Sequence, residues 1–333
     1  MAENLREGSA PEADEPSDTV RLRLDLAYQG GDFYGWARQP SLRTVQGCLE
    51  EALALVTHQR GKRAGSQAAV WNPRLVVAGR TDTGVHASHQ VCHLDMPRTI
   101  LESCRGHMDV DPAEALKRRL RHLLPSDIAL HDLGLAPAGF DARFSALERT
   151  YVYRVCDRPD DLDPRMRGFV LPVDGHVDLD AMNLAARCCL GLHDFGSFAT
   201  ANEGGTTIRK VLLARWDRVE RRSLIEPPAE LVEGSDSARM NYDTPMMESG
   251  LVCFTIVADA FAHNMVRSLV NASLRVGLGK RSVSWFADKV EHPVREGSTG
   301  PIAACGLTLE HVQYPPDDQL AARAASIRAR RTL

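Results

Sequence analysis

The stretch RLVVAGRTDTGVHASHQVCHLD, residues 74–95, decides how the chain is read. Leu75-Val76-Val77-Ala78 is a short apolar run that predicts a buried strand. Gly79 ends it, and Arg80-Thr81-Asp82-Thr83-Gly84 follows as a polar turn. His89, Val91, His93 and Asp95 then alternate with Gln90, Cys92 and Leu94, the period of a second strand. Asp82, with Arg80 two residues before it, therefore stands at a turn held by two strands. A carboxylate and a guanidinium on a glycine-flanked turn is how a rigid scaffold presents charge to a ligand. Equally, an Asp in such a turn can spend itself on the local backbone. The residues alone leave both readings open.

Outward from this stretch, Val20 to Leu26 alternates strictly and predicts a strand. A turn follows from Tyr28 to Trp36, and Thr44 caps a helix with Leu49, Leu53 and Val56 on one face. Residues 61–72 read as a loop, 112–124 as a helix and 128–135 as a strand. The second half repeats this order. Strands near 145–156, 208–219, 251–259 and 307–312 are interleaved with helices near 179–190, 263–278 and 283–291. No sequence repeat accompanies it. The order β-α-β-β-α-β, met twice, predicts an α+β protein of two ferredoxin-like units. Each has an antiparallel sheet with helices on one face and the other face free for a ligand. The expected divisions are an acidic tail (1–19), an N-terminal unit with the Asp82 loop (20–139), a C-terminal unit (140–316) and a basic tail (317–333).

Three hundred and thirty-three residues suit about two domains of ~100–200 residues each. No apolar run approaches the ~20 residues that span a bilayer, and residues 1–18 lack a signal-peptide segment; a cytoplasmic protein is expected. The eight cysteines show neither CxxC pairs nor zinc-like spacing. They read as small core residues or half-buried thiols, without disulfides. The net charge of −4 conceals an uneven distribution. Residues 1–18 and 226–248, rich in Pro, Ser, Glu and Asp, each carry six acids against one arginine, as unfolded or loop segments do. Setting aside −5 for each leaves +6, a mildly basic remainder suited to a polyanion.

GRTDTGVHA, residues 79–87, resembles the catalytic loop of the TruA family of tRNA pseudouridine synthases, whose usual form is GRTDAGVHA; only Thr83 departs. Further similar stretches follow the family's order. YQGGDFYGWARQPSLRTVQGCLE (28–50) resembles its opening motif, where Phe33 and Trp36 either stack on bases or pack the turn. FDARFSA (140–146) with RTYVY (149–153) is similar to the active-site strand. GLHDFGSF (191–198) with TIRK (207–210) and FAHNMVRSLV (261–270) match two more stretches. PIAACGL (301–307) departs from the usual Ala-Pro-x-x-Gly-Leu by displacing the proline. The resemblance implies that Asp82 is catalytic and that Arg80, Tyr151 and Arg267 bind substrate. Tyr151 would pack against the target base and Arg267 would be the basic partner of Asp82, favouring its ionised form. Tyr153 reads as packing. His193 and Asp194 read as a helix-end cap, and Arg209 and Lys210 as part of a basic face. Arg323, Arg328, Arg330 and Arg331 read as phosphate contacts or as a solvated helix.

The implied reaction is conversion of uridine to pseudouridine in the anticodon arm of tRNA (positions 38–40), with no cofactor and no metal. The partners implied are tRNA, in a cleft on the helix-free face, and a second copy of the chain. Two other classes stand against this reading. A metal hydrolase would use Asp82, His86, His89 and His93, but on one strand residues 89 and 93 are about 13 Å apart at ~3.3 Å per residue. A non-catalytic RNA-binding module would explain the fold and the basic remainder, yet gives no reason for a carboxylate at the RNA face.

Overall fold

A computed structural model describes residues 18–58, 71–200, 205–222, 245–294 and 299–327. Residues 1–17, 226–244 of the acidic loop and 328–333 of the basic tail lie outside the described residues. The α+β class holds: helices accompany a ten-stranded, mostly antiparallel sheet. In the first half β1 (Thr19–Tyr28), α1 (Val45–His58), β2 (Leu75–Val77), β3 (His86–Pro97), α2 (Arg98–Ser103), α3 (Pro112–Leu123) and β4 (Ile128–Leu135) follow one another. In the second come β5 (Glu148–Cys156), β6 (Leu171–Pro172), α4 (Leu179–Arg187), β7 (Gly191–Asp194), β8 (Ile208–Arg218) and β9 (Val252–Ala258). Then follow α5 (Met265–Gly277), α6 (Val283–Glu291), β10 (Leu307–Gln313) and α7 (Leu320–Ile327). The short α2, β6 and β7 carry too few residues to show a period in the sequence.

The strands lie in the order β4-β1-β3-β10-β5-β9-β8-β7. Instead of two separate sheets there is one, because β3 changes neighbour along its length. Its far part pairs with β2 (Leu94 opposite Leu75, Cys92 opposite Val77). Its first residues pair in parallel with β10 (His86 opposite Thr308, Ala87 opposite Leu309). Where β2 has ended and β10 begins, the chain must leave the sheet. That excursion is the loop carrying Asp82.

The alternation read in β1 is a burial pattern. Val20, Leu22, Leu24, Leu26 and Tyr28 are buried, while Arg21, Arg23 and Asp25 between them are half-open. Leu49, Leu53 and Val56 of α1 are buried as expected. The hydroxyl of Thr44 accepts from Gly47 N at 3.2 Å at that helix's start. In the second half Tyr151, Tyr153, Phe254, Ile256, Leu307 and Leu309 are buried on one face. Asn183 of α4 exchanges two hydrogen bonds with the Trp216 backbone there. One hydrophobic core runs across the seam between the halves. The eight cysteines are free thiols.

The opposite face is not bare. The 137–147 segment and α7 cover part of it, with Arg23 between the rings of Phe140 and Tyr314 and Ser145 Oγ donating to Leu320 O. The expected cleft on a helix-free face is thereby corrected. The Asp82 loop is tied to the buried face of β1, Thr81 Oγ1 lying 2.8 Å from Tyr28 Oη.

Candidate active site

The Asp82 loop is held by backbone bonds and by buried side chains beneath it. Thr81 O accepts from Trp36 N at 3.0 Å, Gly84 N donates to Phe33 O at 3.2 Å, and Asp82 O accepts from Val85 N at 3.1 Å. The close approach demands glycine on the facing turn. A Cβ on Gly30 would lie 2.0 Å from Val85 O, and one on Gly35 (φ +83) would lie 2.8 Å from Thr81 O. Beneath the loop, Tyr28 Oη and Thr81 Oγ1 are 2.8 Å apart. Gln90 Nε2, wholly buried, donates to Tyr28 Oη and to Gly79 O. The Asp82 side chain remains 29% exposed, its carboxylate not consumed by the turn. Arg80 is exposed and makes no hydrogen bond or ion pair with another described residue.

Behind the loop lies a residue the sequence reading did not single out. Arg149 is buried, and its guanidinium donates to three backbone carbonyls: Ala78 O at 2.7 Å, Asp259 O at 2.6 Å and Arg143 O at 2.9 Å. Those carbonyls begin the Asp82 loop, follow directly on β9 and belong to the 140–146 stretch. No carboxylate pairs with it among the described residues, and burial lowers its pKa. A sequence shows an arginine in a strand, but not that its fork meets three segments. Two residues on, Tyr151 is buried and its ring meets Phe261 edge-on at 5.0 Å. Burial pushes the Tyr151 hydroxyl pKa up, helped by the negative charge of Asp82. That hydroxyl makes no hydrogen bond within the described residues. Tyr153 is packing, as expected: fully buried, with its hydroxyl donating to Ala303 O at 2.7 Å.

Arg267 does not pair with Asp82. Its Nε donates to Ile302 O at 2.6 Å and its Nη1 to Asn264 Oδ1 at 3.2 Å. The group that faces Asp82 is His263, Nε2 to Oδ1 at 3.5 Å. The sequence of 261–270 does not show which side chain it turns to the loop. That depends on Asn264, whose left-handed backbone (φ 65) redirects the chain just before α5.

Phe33 and Trp36 are each 1% exposed, against 7% for Tyr151, and pack the turn; the Arg43 guanidinium lies 4.1 Å from the Phe33 centroid. The histidines of the metal reading have other work. Nδ1 of His86, His89 and His93 accepts from the backbone N–H of Gly30, Val312 and Ala142 respectively. Their other nitrogens do not converge: Nε2 of His86 faces Cys305 O and that of His89 faces Asp25. No cluster of three metal-binding side chains occurs among the described residues. His193 Nε2 bonds Leu190 O just beyond α4. Asp194 accepts from Gly196 N, within its own strand end rather than at a helix.

A family model described as tRNA pseudouridine synthase matches residues 185–315. The chain is 61% identical over 314 residues to tRNA pseudouridine synthase A of Bifidobacterium longum (strain DJO10A), covering 94% of this chain and 100% of that one. With its namesake in Bifidobacterium animalis subsp. lactis (strain AD011) it shares 59% identity, over the same 94% and 100%. With that of Streptomyces griseus subsp. griseus it shares 44% over 94% of this chain and 95% of the other. At that identity over nearly the whole length, the chain belongs to the tRNA pseudouridine synthase A family and is an isomerase.

Proposed function

We propose that the chain isomerises uridine to pseudouridine in the anticodon arm of tRNA, at positions 38–40, with Asp82 acting on the target nucleoside. The observation that carries this reading is the half-open carboxylate of Asp82 on a loop fixed at the seam of the sheet, beside Tyr151 and His263. The N1–C1′ bond breaks, the base turns, and C5 is joined to C1′. C5 loses a proton and N1 gains one, so no net oxidation or hydrolysis occurs. The target must leave its stack before C1′ can be reached. Arg80, exposed and unpaired among the described residues, fills the vacated space or holds a phosphate. Arg267 serves by bracing the 261–264 turn. Mapping pseudouridine in a tRNA transcript after incubation tests this reading. Conversion confined to positions 38–40 supports it, and conversion elsewhere contradicts it.

Tyr151 offers its ring to the base. Tyr151→Phe is expected to keep tRNA affinity and most turnover, because the stacking face survives. Tyr151→Leu is expected to lose far more turnover, with ~1–3 kcal/mol of stacking removed. Equal turnover in the two variants would show that the ring does not meet the base.

The enzyme works as a homodimer in the compartment that holds tRNA. Leu184, Leu190, Leu212 and Leu213 are each 41–50% exposed around one hollow between α4 and β8. β7 beside them ends the sheet. An apolar patch beside an edge strand suits a second copy of the chain. Light scattering should give twice 36.6 kDa for the parent and one copy for a Leu190→Glu/Leu213→Glu variant. A parent of 36.6 kDa at working concentration would contradict the dimer. No helix among the described residues is long and apolar enough to cross a membrane.

A further inference from the structure

We propose that His263 is a catalytic residue of this site: its ring N–H donates to the uracil as that base departs from C1′. This rests on the reading of Asp82 given above. When N1–C1′ breaks, both electrons leave with the base, which becomes an anion with its charge shared among N1, O2 and O4. C5 then bonds to C1′, the C5 hydrogen leaves as a proton and N1 takes one up, so no co-reactant is consumed. An anion formed beside a carboxylate needs a donor close to that carboxylate. Among the described residues, the side chain carrying N–H within ion-pair reach of Asp82 is His263.

The 3.5 Å separation is longer than an N–H···O hydrogen bond, so the ring is not committed to Asp82. It is also 41% exposed, open to an entering nucleotide. Its backbone, by contrast, is fixed. His263 O accepts from Thr200 N at 2.9 Å. Asn264 Nδ2 donates to Thr200 Oγ1 at 3.1 Å, and Asn264 Oδ1 accepts from Arg267. On its other side Phe261 packs on Tyr151. A donor held in place before the charge develops costs no reorganisation when it does.

The test compares one tRNA transcript made with uridine and again with 5-fluorouridine. Fluorine withdraws electrons and stabilises the departing anion, so a missing donor matters less. Because fluorine replaces the C5 hydrogen, both substrates are followed by single-turnover consumption of the starting nucleoside. His263→Ala is expected to slow the uridine substrate by ~10²-fold. The loss should fall in the maximal rate rather than in the concentration dependence, and should shrink at least about tenfold on the fluorinated substrate. His263→Gln, whose amide N–H reaches the same region, should fall between alanine and parent. A His263→Ala rate within about twofold of the parent would overturn the proposal. So would a deficit equal on both substrates, or one confined to binding. If alanine prevents folding, glutamine on the two substrates carries the same comparison. A parent without turnover, or an active Asp82→Asn variant, would instead remove the reading of Asp82 and leave these outcomes distinguishable.

Discussion

Asp82→Asn is expected to lower turnover by ~10³-fold or more, the scale seen when a catalytic nucleophile is removed, while the protein stays folded. The structure separates the two roles that the sequence left open. None of the bonds that hold the loop uses the Asp82 side chain: Thr81 O, Asp82 O and Gly84 N are backbone groups that asparagine retains, and Tyr28, Gln90 and Arg149 bond its neighbours. Among the described residues the carboxylate itself faces only His263, and at 3.5 Å. Asparagine has nearly the same shape and local hydrogen bonds, but it cannot attack or take a proton as a carboxylate does. Affinity for tRNA should be equal or slightly higher, because a negative charge is removed from a site that meets phosphates. Turnover, binding and thermal melting on one preparation distinguish the outcomes. A folded variant retaining about a tenth of the parent rate would end the catalytic role of Asp82.

Arg149→Met is expected to cost stability on the order of 3–5 kcal/mol, read from urea unfolding. Methionine fills much of the volume but leaves the carbonyls of Ala78, Asp259 and Arg143 without their donor. A buried carbonyl left unpaired costs ~1–3 kcal/mol; the bond to Ala78 O is buried and those to Asp259 O and Arg143 O are part-buried, so the latter two cost less. Loss of the buried, carboxylate-free charge offsets part of that sum, since arginine is expensive to desolvate. Turnover should also fall under conditions where the variant is still folded, because the Asp82 loop and the turn carrying His263 lose their common anchor. Arg149→Lys should be intermediate: it keeps the charge and donors, but not the planar fork that reaches three segments. A methionine variant within ~1 kcal/mol of the parent, with full activity, would show that the three bonds do not hold these loops.

Much of this fold was legible because its strands alternate. β1 announces its buried face residue by residue, and α1 its stripe of Leu49, Leu53 and Val56. Periodicity carries no information about which strand lies beside which. The parallel contact of β3 with β10, which joins residues more than two hundred positions apart, had no local trace. At the site, Gly79 and Gly84 marked the turn that carries Asp82, but not its close approach to Gly30 and Gly35. The pairing of Asp82 with Arg267 failed because one residue, Asn264, takes a left-handed backbone and turns His263 toward the loop instead. Arg149 was invisible as an anchor, since its partners are carbonyls and every residue has one.

Tritium release from tRNA carrying 5-labelled uridine tests the central claim most directly, because joining C5 to C1′ must expel the C5 hydrogen. The parent enzyme should release tritium without added cofactor, in proportion to the pseudouridine formed in the anticodon arm, and the Asp82→Asn variant should release almost none. Binding of that tRNA with no release by the parent, or equal release by parent and variant, would contradict the account.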